Sequence, residues 1–164
     1  MEIESAPGVG TTVRLLFPLR EMVMTAGAEE GEVTPPLRIL FVDDEPLICR
    51  SLKEALEQEG HTVEVADGGG AELGAFRAAL ERGGPFDVVI TDLGMSYVDG
   101  REVARRVKEA SPGTPVVLLS GWGIFLEEER FPTAIDAMVS KPPRIEELRQ
   151  VLAQLARDEN KEPD

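Results

Sequence analysis

The chain has 164 residues, of which 42% are hydrophobic and 29% charged, a composition typical of a globular protein and unlike that of a disordered one. Its formal net charge of −14 argues against binding to nucleic acid or to anionic membranes, because those surfaces would repel it. A single cysteine and a single histidine exclude an internal disulfide and a structural zinc site, and the lack of a signal sequence or of an apolar run of about 20 residues favours the cytoplasm.

The first 20 residues predict a strand, a glycine turn and a second strand. The segment Ser5-Ala-Pro-Gly-Val-Gly-Thr-Thr12 and the alternating apolar strand after it resemble the closing hairpin of the ATP-binding domain of sensor histidine kinases. The other nucleotide-binding motifs of that domain are absent, so we expect this fragment neither to bind ATP nor to phosphorylate a substrate. The resemblance implies that residues 1–20 are a remnant of that domain and that the parent chain is a hybrid histidine kinase. A freestanding regulator with an unusual first strand is the alternative.

A short acidic segment follows the hairpin. Residues 27–36 are small and acidic and end in two prolines, a composition that resists packing. At the other end, residues 158–164 lack the apolar side chains that a folded segment buries, and we expect them to be disordered. We therefore predict a linker at 21–36 and one domain at 37–157.

Short apolar runs alternate with helical patterns along that domain, which is typical of parallel strands joined by crossover helices. Most of the runs are almost continuously apolar, as strands covered on both faces must be, whereas the second run alternates and belongs nearer an edge. The predicted class is therefore α/β, with a doubly wound five-stranded parallel sheet flanked by five helices. The predicted strands are Ile39–Val42, Thr62–Ala66, Asp87–Thr91, Pro115–Leu119 and Ala137–Ser140.

Helix boundaries are visible at two places. Gly60 is well placed to end the first helix. Asp99, with Glu102 three residues later, resembles a helix N-cap with a capping-box partner. The helix between the fourth and fifth strands, around residues 124–131, has the least regular pattern.

Polar side chains follow four of the predicted strands. Because the carboxyl ends of parallel strands meet at one edge of the sheet, where ligands bind in this class of fold, we expect these side chains to converge. Three carboxylates at one edge would repel one another unless a cation lies among them. The residues are Asp43, Asp44 and Glu45 after the first strand, Asp92 after the third, Ser120 after the fourth and Lys141 after the fifth.

The chemistry of this set points to phosphoryl transfer. Oxygen ligands without histidine or thiolate select a hard cation, and Mg²⁺ is the ion that best suits a site open to water and phosphate, with Mn²⁺ as a substitute. Asp92 is then the nucleophile, with the Lys141 ammonium as the fixed cation and the Ser120 hydroxyl as a donor to a phosphoryl oxygen. A cis bond between Lys141 and Pro142 would aim the lysine into the site.

These motifs resemble the receiver domains of bacterial two-component response regulators, and the resemblance covers the whole of residues 37–157. It implies a flavodoxin-like fold with strand order 2-1-3-4-5 and a phosphohistidine donor on a histidine kinase or a histidine phosphotransfer domain. It also implies a weak homodimer through the face of the fourth helix, fifth strand and fifth helix. The matching motifs are Ile39-Leu-Phe-Val-Asp-Asp-Glu45, Asp87-Val-Val-Ile-Thr-Asp-Leu93, Val98-Asp-Gly100, Leu118-Leu-Ser-Gly121 and Ser140-Lys-Pro142.

The resemblance also implies a role for each site residue. Asp92 is the phospho-acceptor, and it ligates the metal together with Asp44 directly, Asp43 chiefly through water, and the backbone carbonyl of Gly94. Ser120 and Lys141 occupy the two remaining functional positions.

Two positions depart from the family pattern. Ser96 stands where a proline is usual, four residues after the acceptor, and Met138 stands where an aromatic residue is usual, three before the lysine. In the family, phosphorylation draws in the hydroxyl at the Ser120 position and the aromatic ring follows, which reshapes the face of the fourth helix and fifth strand. Met138 is flexible and could fill that space without a ring movement.

Other functions fit less well. A Mg²⁺-dependent phosphohydrolase with an aspartate nucleophile is the main alternative, although the haloacid-dehalogenase pattern needs a second aspartate where this chain has Gly94. A flavin-binding module would need a phosphate-binding loop after the first strand, where this chain has acidic residues. His61 is interpreted as a polar loop residue and Cys49 as a small packing residue.

Overall fold

A computed structural model of the chain describes residues 2–6, 10–14, 34–68, 70–96, 98–121 and 133–159. The chain divides into two compact units, Met1–Gly31 and Glu32–Asp164. In the first unit, strands β1 (Glu2–Ala6) and β2 (Gly10–Arg14) pair antiparallel. This is the strand pair that the sequence predicts. Residues 15–33, which include most of the predicted linker, lie outside the described residues.

The second unit is a five-stranded parallel sheet in the order β4-β3-β5-β6-β7. Counted within this unit, that order is 2-1-3-4-5, so the predicted fold class is confirmed, and the alternating strand β4 lies at an edge as expected. The strands are β3 (Arg38–Val42), β4 (Thr62–Ala66), β5 (Val88–Asp92), β6 (Val116–Ser120) and β7 (Ala137–Ser140); the helices are α1 (Pro46–Gln58), α2 (Ala71–Glu81), α3 (Gly100–Ala110) and α4 (Ile145–Glu159).

Helices cover both faces of the sheet. Side chains of α1 and α4 pack on one face, around Phe41, Ile90 and Leu119, while side chains of α2 and α3 pack on the other, around Leu40 and Val89. Strands β5 and β6 are buried along their full length, because each residue faces one layer or the other. The predicted helix around residues 124–131 and the last residues of the predicted tail, 160–164, lie outside the described residues.

The helix ends agree with their sequence signals. Gly60 follows α1 with a φ of 93°, a left-handed conformation that glycine adopts without steric cost. Asp99 is the N-cap of α3, and its side chain accepts a hydrogen bond of 2.8 Å from the Arg101 N–H. Glu102 does not act as the predicted capping-box partner of Asp99, because its carboxylate accepts hydrogen bonds from Arg105 and Arg106.

The single cysteine and the single histidine are both buried. Cys49 lies in the core cluster against which α1 packs, as predicted for a packing residue. His61 lies in the loop before β4 and is 6% exposed, with its Nδ1 accepting a hydrogen bond of 3.2 Å from the Leu37 N–H. This hydrogen bond therefore links the start of β3 to the loop after α1. Among the described helices, none is long and apolar enough to cross a membrane.

Candidate functional site

The predicted site residues lie at the ends of four strands, at one edge of the sheet. Asp92 and Ser120 are the last residues of β5 and β6, and Asp43 and Lys141 directly follow β3 and β7. Asp92 lies opposite Leu119 in the sheet register, one residue before Ser120. Because all five strands are parallel, these side chains share the carboxyl edge, as the sequence predicts.

Three carboxylates converge at this edge. One carboxylate oxygen from each of Asp43, Asp44 and Asp92 lies within 4.8 Å of the other two. Asp43 is 2% exposed and Asp92 is 6% exposed, whereas Asp44 is half-buried. Negative charge is therefore concentrated where little water can screen it.

Lys141 supplies the positive charge. Its Nζ lies 2.8 Å from Asp43 Oδ2 and 2.9 Å from Asp92 Oδ1, so one ammonium bridges two of the three carboxylates. Burial alone would lower the pKa of Lys141, but hydrogen bonds and attraction from Asp43 and Asp92 outweigh it and raise that pKa above its ordinary value. Lys141 is therefore charged at neutral pH. The Lys141–Pro142 bond is cis.

Asp43 is fixed at both carboxylate oxygens. Oδ2 accepts from Lys141, and Oδ1 accepts a 2.8 Å hydrogen bond from the Glu45 N–H. The Cys49 thiol donates to the Asp43 backbone carbonyl at 3.2 Å. Burial, and then repulsion by Asp43, raise the pKa of this thiol to about 11, so it stays neutral and adds no thiolate to the site.

Asp44 is held by a contact that the sequence reasoning missed. The Ser96 N–H donates a 2.8 Å hydrogen bond to Asp44 Oδ2. This bond, followed by a hydrogen bond from the Ser96 hydroxyl, lowers the pKa of Asp44 below its ordinary value. The sequence signal for this hydrogen bond is the presence of serine at position 96, because a proline there would have no N–H to donate.

Two of the remaining predicted residues, Ser120 and Gly94, lie at the same edge. The Ser120 hydroxyl donates to the Gly121 carbonyl at 3.3 Å. Gly94 follows β5, and a Cβ at Gly94 would lie 4.0 Å from Asp92 Oδ2, which places its backbone beside that carboxylate. Met138 is half-buried in β7 opposite Leu118.

The donor set suits a hard divalent cation. The converging side chains offer carboxylate oxygens, which are the preferred ligands of Mg²⁺. Three carboxylates face one ammonium at this edge, so a divalent ion would relieve the excess negative charge. The geometry also brings the charged Lys141 to Asp92, as an aspartate that attacks phosphorus requires.

Known proteins share this chain's sequence pattern and fold. The family model described as the response regulator receiver domain matches residues 39–153. The transcriptional regulatory protein TrcR of Mycobacterium tuberculosis is 37% identical over 114 residues, which are 69% of this chain and 42% of that protein.

Two sensor proteins are also similar. The virulence sensor protein BvgS of Bordetella bronchiseptica is 40% identical over 122 residues, 68% of this chain and 10% of that protein. Sensor protein EvgS of Escherichia coli O157:H7 is 29% identical over 166 residues, 94% of this chain and 13% of that protein. The chain thus spans less than half the length of each of these three relatives.

A solved structure agrees with the fold. The response regulator protein TrrA from Thermotoga maritima, in complex with Mg(2+)-BeF, is similar with a TM-score of 0.58 and 31% identity, over 73% of this chain and 98% of that chain.

Proposed function

This chain belongs to the response regulator receiver domain family of two-component signalling, and from that premise we propose that Asp92 accepts a phosphoryl group from a phosphohistidine donor. The donor would be a histidine kinase or a histidine phosphotransfer domain in the cytoplasm. The observation that carries the proposal is the convergence of Asp43, Asp44 and Asp92 within 4.8 Å, with Lys141 bridging Asp43 and Asp92.

In the proposed step, an Asp92 carboxylate oxygen attacks phosphorus as the phosphorus–nitrogen bond of the donor breaks. The electron pair of that bond returns to the imidazole, which takes a proton from solvent. Lys141 stays charged throughout, because its partners raise its pKa, and it is 2.9 Å from Asp92 Oδ1 before the reaction. The Ser120 hydroxyl exchanges its hydrogen bond to Gly121 for one to a phosphoryl oxygen.

We propose that the acidic side chains hold Mg²⁺, with Mn²⁺ as a substitute. Asp44 and Asp92 ligate it directly, Asp43 acts chiefly through water, and the Gly94 carbonyl completes the protein ligands. The engagement of both Asp43 oxygens by Lys141 and Glu45 supports the indirect role of Asp43. When bound, such an ion neutralises the charge that develops on the oxygens of the transferring group.

The test is phosphorylation by acetyl phosphate in the presence of Mg²⁺. We expect one acyl phosphate per chain by intact mass, removed by hydroxylamine, and no incorporation in Asp92→Asn. Asp99→Asn is the matched control, because it also removes one carboxylate but keeps the oxygen that caps α3, and it should incorporate phosphate as the parent does.

Two results would contradict the proposal. Asp92→Asn could incorporate phosphate as well as the parent does, which would place the acceptor elsewhere. Rapid multiple turnover of acetyl phosphate without a stable adduct would instead indicate a phosphohydrolase.

We also propose that the parent protein is a hybrid histidine kinase, in which this domain is the C-terminal receiver. The antiparallel pair β1–β2 agrees with a kinase closing hairpin, and the similarity to EvgS extends over 94% of this chain. The gene sequence upstream of the Met1 codon tests the idea. A phosphorylatable histidine helix and nucleotide-binding motifs encoded in frame would support it, and a stop codon directly upstream would contradict it.

A further inference from the structure

Two of the three converging carboxylates share Lys141 as their anchor, and the third is held by a different group. Asp43 is held by Lys141 and by the Glu45 N–H, and Asp92 is held by Lys141. Asp44 is the half-buried member, and its carboxylate accepts the 2.8 Å hydrogen bond from the Ser96 N–H. The anchor of Asp44 therefore comes from the loop between β5 and α3 and not from the lysine.

The hydrogen bond from the Ser96 N–H counteracts electrostatic repulsion of the Asp44 carboxylate. Asp43 and Asp92 carry the same charge as Asp44 and lie within 4.8 Å of it, so repulsion would turn the Asp44 side chain toward solvent. A hydrogen bond from a backbone N–H to a carboxylate is charge-assisted and about twice as strong as a neutral one.

The loop that carries Ser96 is itself held in place. Met95, the preceding residue, is 8% exposed and belongs to the core beneath α2 and α3. A Cβ at Gly68 would lie only 2.6 Å from Met95 Sδ, so the loop after β4 closes against this side chain. The buried Met95 side chain therefore anchors the backbone next to Ser96, whose own side chain is exposed.

We propose that the Ser96 backbone N–H is a positioning group that holds Asp44 in its metal-binding orientation. The hydrogen bond uses Oδ2, which leaves Oδ1 and the second lone pair of Oδ2 for the cation. Metal ligands are commonly oriented by such outer hydrogen bonds, whose removal weakens binding by about ten- to a hundredfold. This inference rests on the proposed Mg²⁺ site and adds the group that preorganises it.

The test removes the N–H and measures Mg²⁺ affinity by isothermal titration calorimetry, independently of phosphorylation. Ser96→Pro deletes the donor, and we expect its Kd for Mg²⁺ to rise about tenfold. Ser96→Ala keeps the N–H and loses only the hydroxyl, which also donates to Asp44, so its Kd should rise less than that of Ser96→Pro. The difference between the two variants then measures the N–H alone, because both lack the hydroxyl.

A second pair of variants shows whether the effect passes through Asp44. In an Asp44→Ala background, Ser96→Pro should cause no further loss of affinity, because the group that the N–H positions is gone. If Ser96→Pro does not fold, the same comparison uses an ester in place of the Met95–residue 96 amide, made with lactate at residue 96. That replacement deletes the N–H without the proline ring and is compared with Ser96→Ala.

The outcomes separate this inference from the function on which it rests. If the folded parent binds no Mg²⁺, the proposed metal site and the role of Ser96 both fail. If the parent binds Mg²⁺ and the variants without the N–H bind it equally well, only the role of Ser96 is wrong. An equal loss with and without Asp44 would also overturn it, because the proline would then act by a route other than the hydrogen bond.

Discussion

Gly100 stands at the first residue of α3, where the helix meets the end of β5. A Cβ at this position would lie 2.1 Å from the Asp92 carbonyl oxygen and 2.9 Å from Leu118 Cδ1. Neither atom can yield easily, because one is backbone and the other is in the core. We expect Gly100→Ala to lower the free energy of unfolding by about 1–3 kcal/mol, a typical cost of overpacking, as measured by urea denaturation.

Gly74 provides the matched control for this substitution. It lies within α2, and a Cβ there would meet nothing within 4 Å. Gly74→Ala should therefore stabilise the fold by about 0.5–1 kcal/mol through helix propensity. Equal effects of the two substitutions would contradict the steric role of Gly100.

His61 makes stability depend on pH. Burial lowers the pKa of His61, and attraction from Glu59 only partly opposes this. In addition, only the neutral ring can accept the hydrogen bond from the Leu37 N–H at Nδ1. Because the folded pKa lies below the unfolded value of about 6.5, the unfolded chain binds the proton more readily. The contribution of His61 is complete above the unfolded pKa and is lost as the pH falls through the folded pKa.

The measurement is the free energy of unfolding of the parent and of His61→Asn between pH 7.5 and 5.5. Asn offers an acceptor near the position of Nδ1 but does not titrate. We expect the parent to lose more stability than the variant on acidification, although the variant starts lower because it lacks the ring. Parallel pH profiles would show that His61 is not the titrating group.

The stability of helix α3 depends on its N-cap. Asp99 accepts the Arg101 N–H at 2.8 Å and satisfies one of the four free donors at the helix start. Asp99→Ala should lower the free energy of unfolding by about 1 kcal/mol, whereas Asp99→Asn keeps the acceptor and should cost much less. Urea denaturation measures both, and an equal loss in the two variants would assign the effect to charge instead of capping.

The sheet could be predicted from the sequence because burial on both faces leaves a strong signal. The strands β5 and β6 begin with three and four consecutive apolar residues, and the alternation of β4 matches its place at the edge. Because parallel strands all end at the same edge, the sheet alone was enough to predict that Asp43, Asp92 and Lys141 lie together.

The contacts made by backbone groups could not be predicted in the same way. The Ser96 N–H and the Glu45 N–H donate to Asp44 and Asp43. Every residue except proline carries an N–H, so residue type shows that a donor is present but not which acceptor it meets. The side chain of Glu102 was also assigned the wrong partner, because two arginines one helical turn later compete with the helix N-terminus. Sequence patterns thus predicted which groups meet, and the backbone fixed how they are held.

Charge links the site to the stability of the fold. The chain carries −14 overall, and among the described residues three carboxylates and one ammonium converge at the carboxyl edge of the sheet. A cation that binds the folded state but not the unfolded one stabilises the fold by mass action. At a free Mg²⁺ concentration of a hundred times Kd, we expect the free energy of unfolding to rise by about 2.7 kcal/mol.

Urea denaturation with Mg²⁺ and with EDTA, at an ionic strength matched by NaCl, separates binding at the site from general screening. NaCl screens the repulsion among all the acidic residues, so matching it removes that contribution. Asp44→Ala is the critical variant, because it removes one of the proposed ligands while the net charge remains strongly negative. It should lose most of the increment due to Mg²⁺, and an undiminished increment would mean that Mg²⁺ stabilises the chain through its overall charge and not through the three carboxylates.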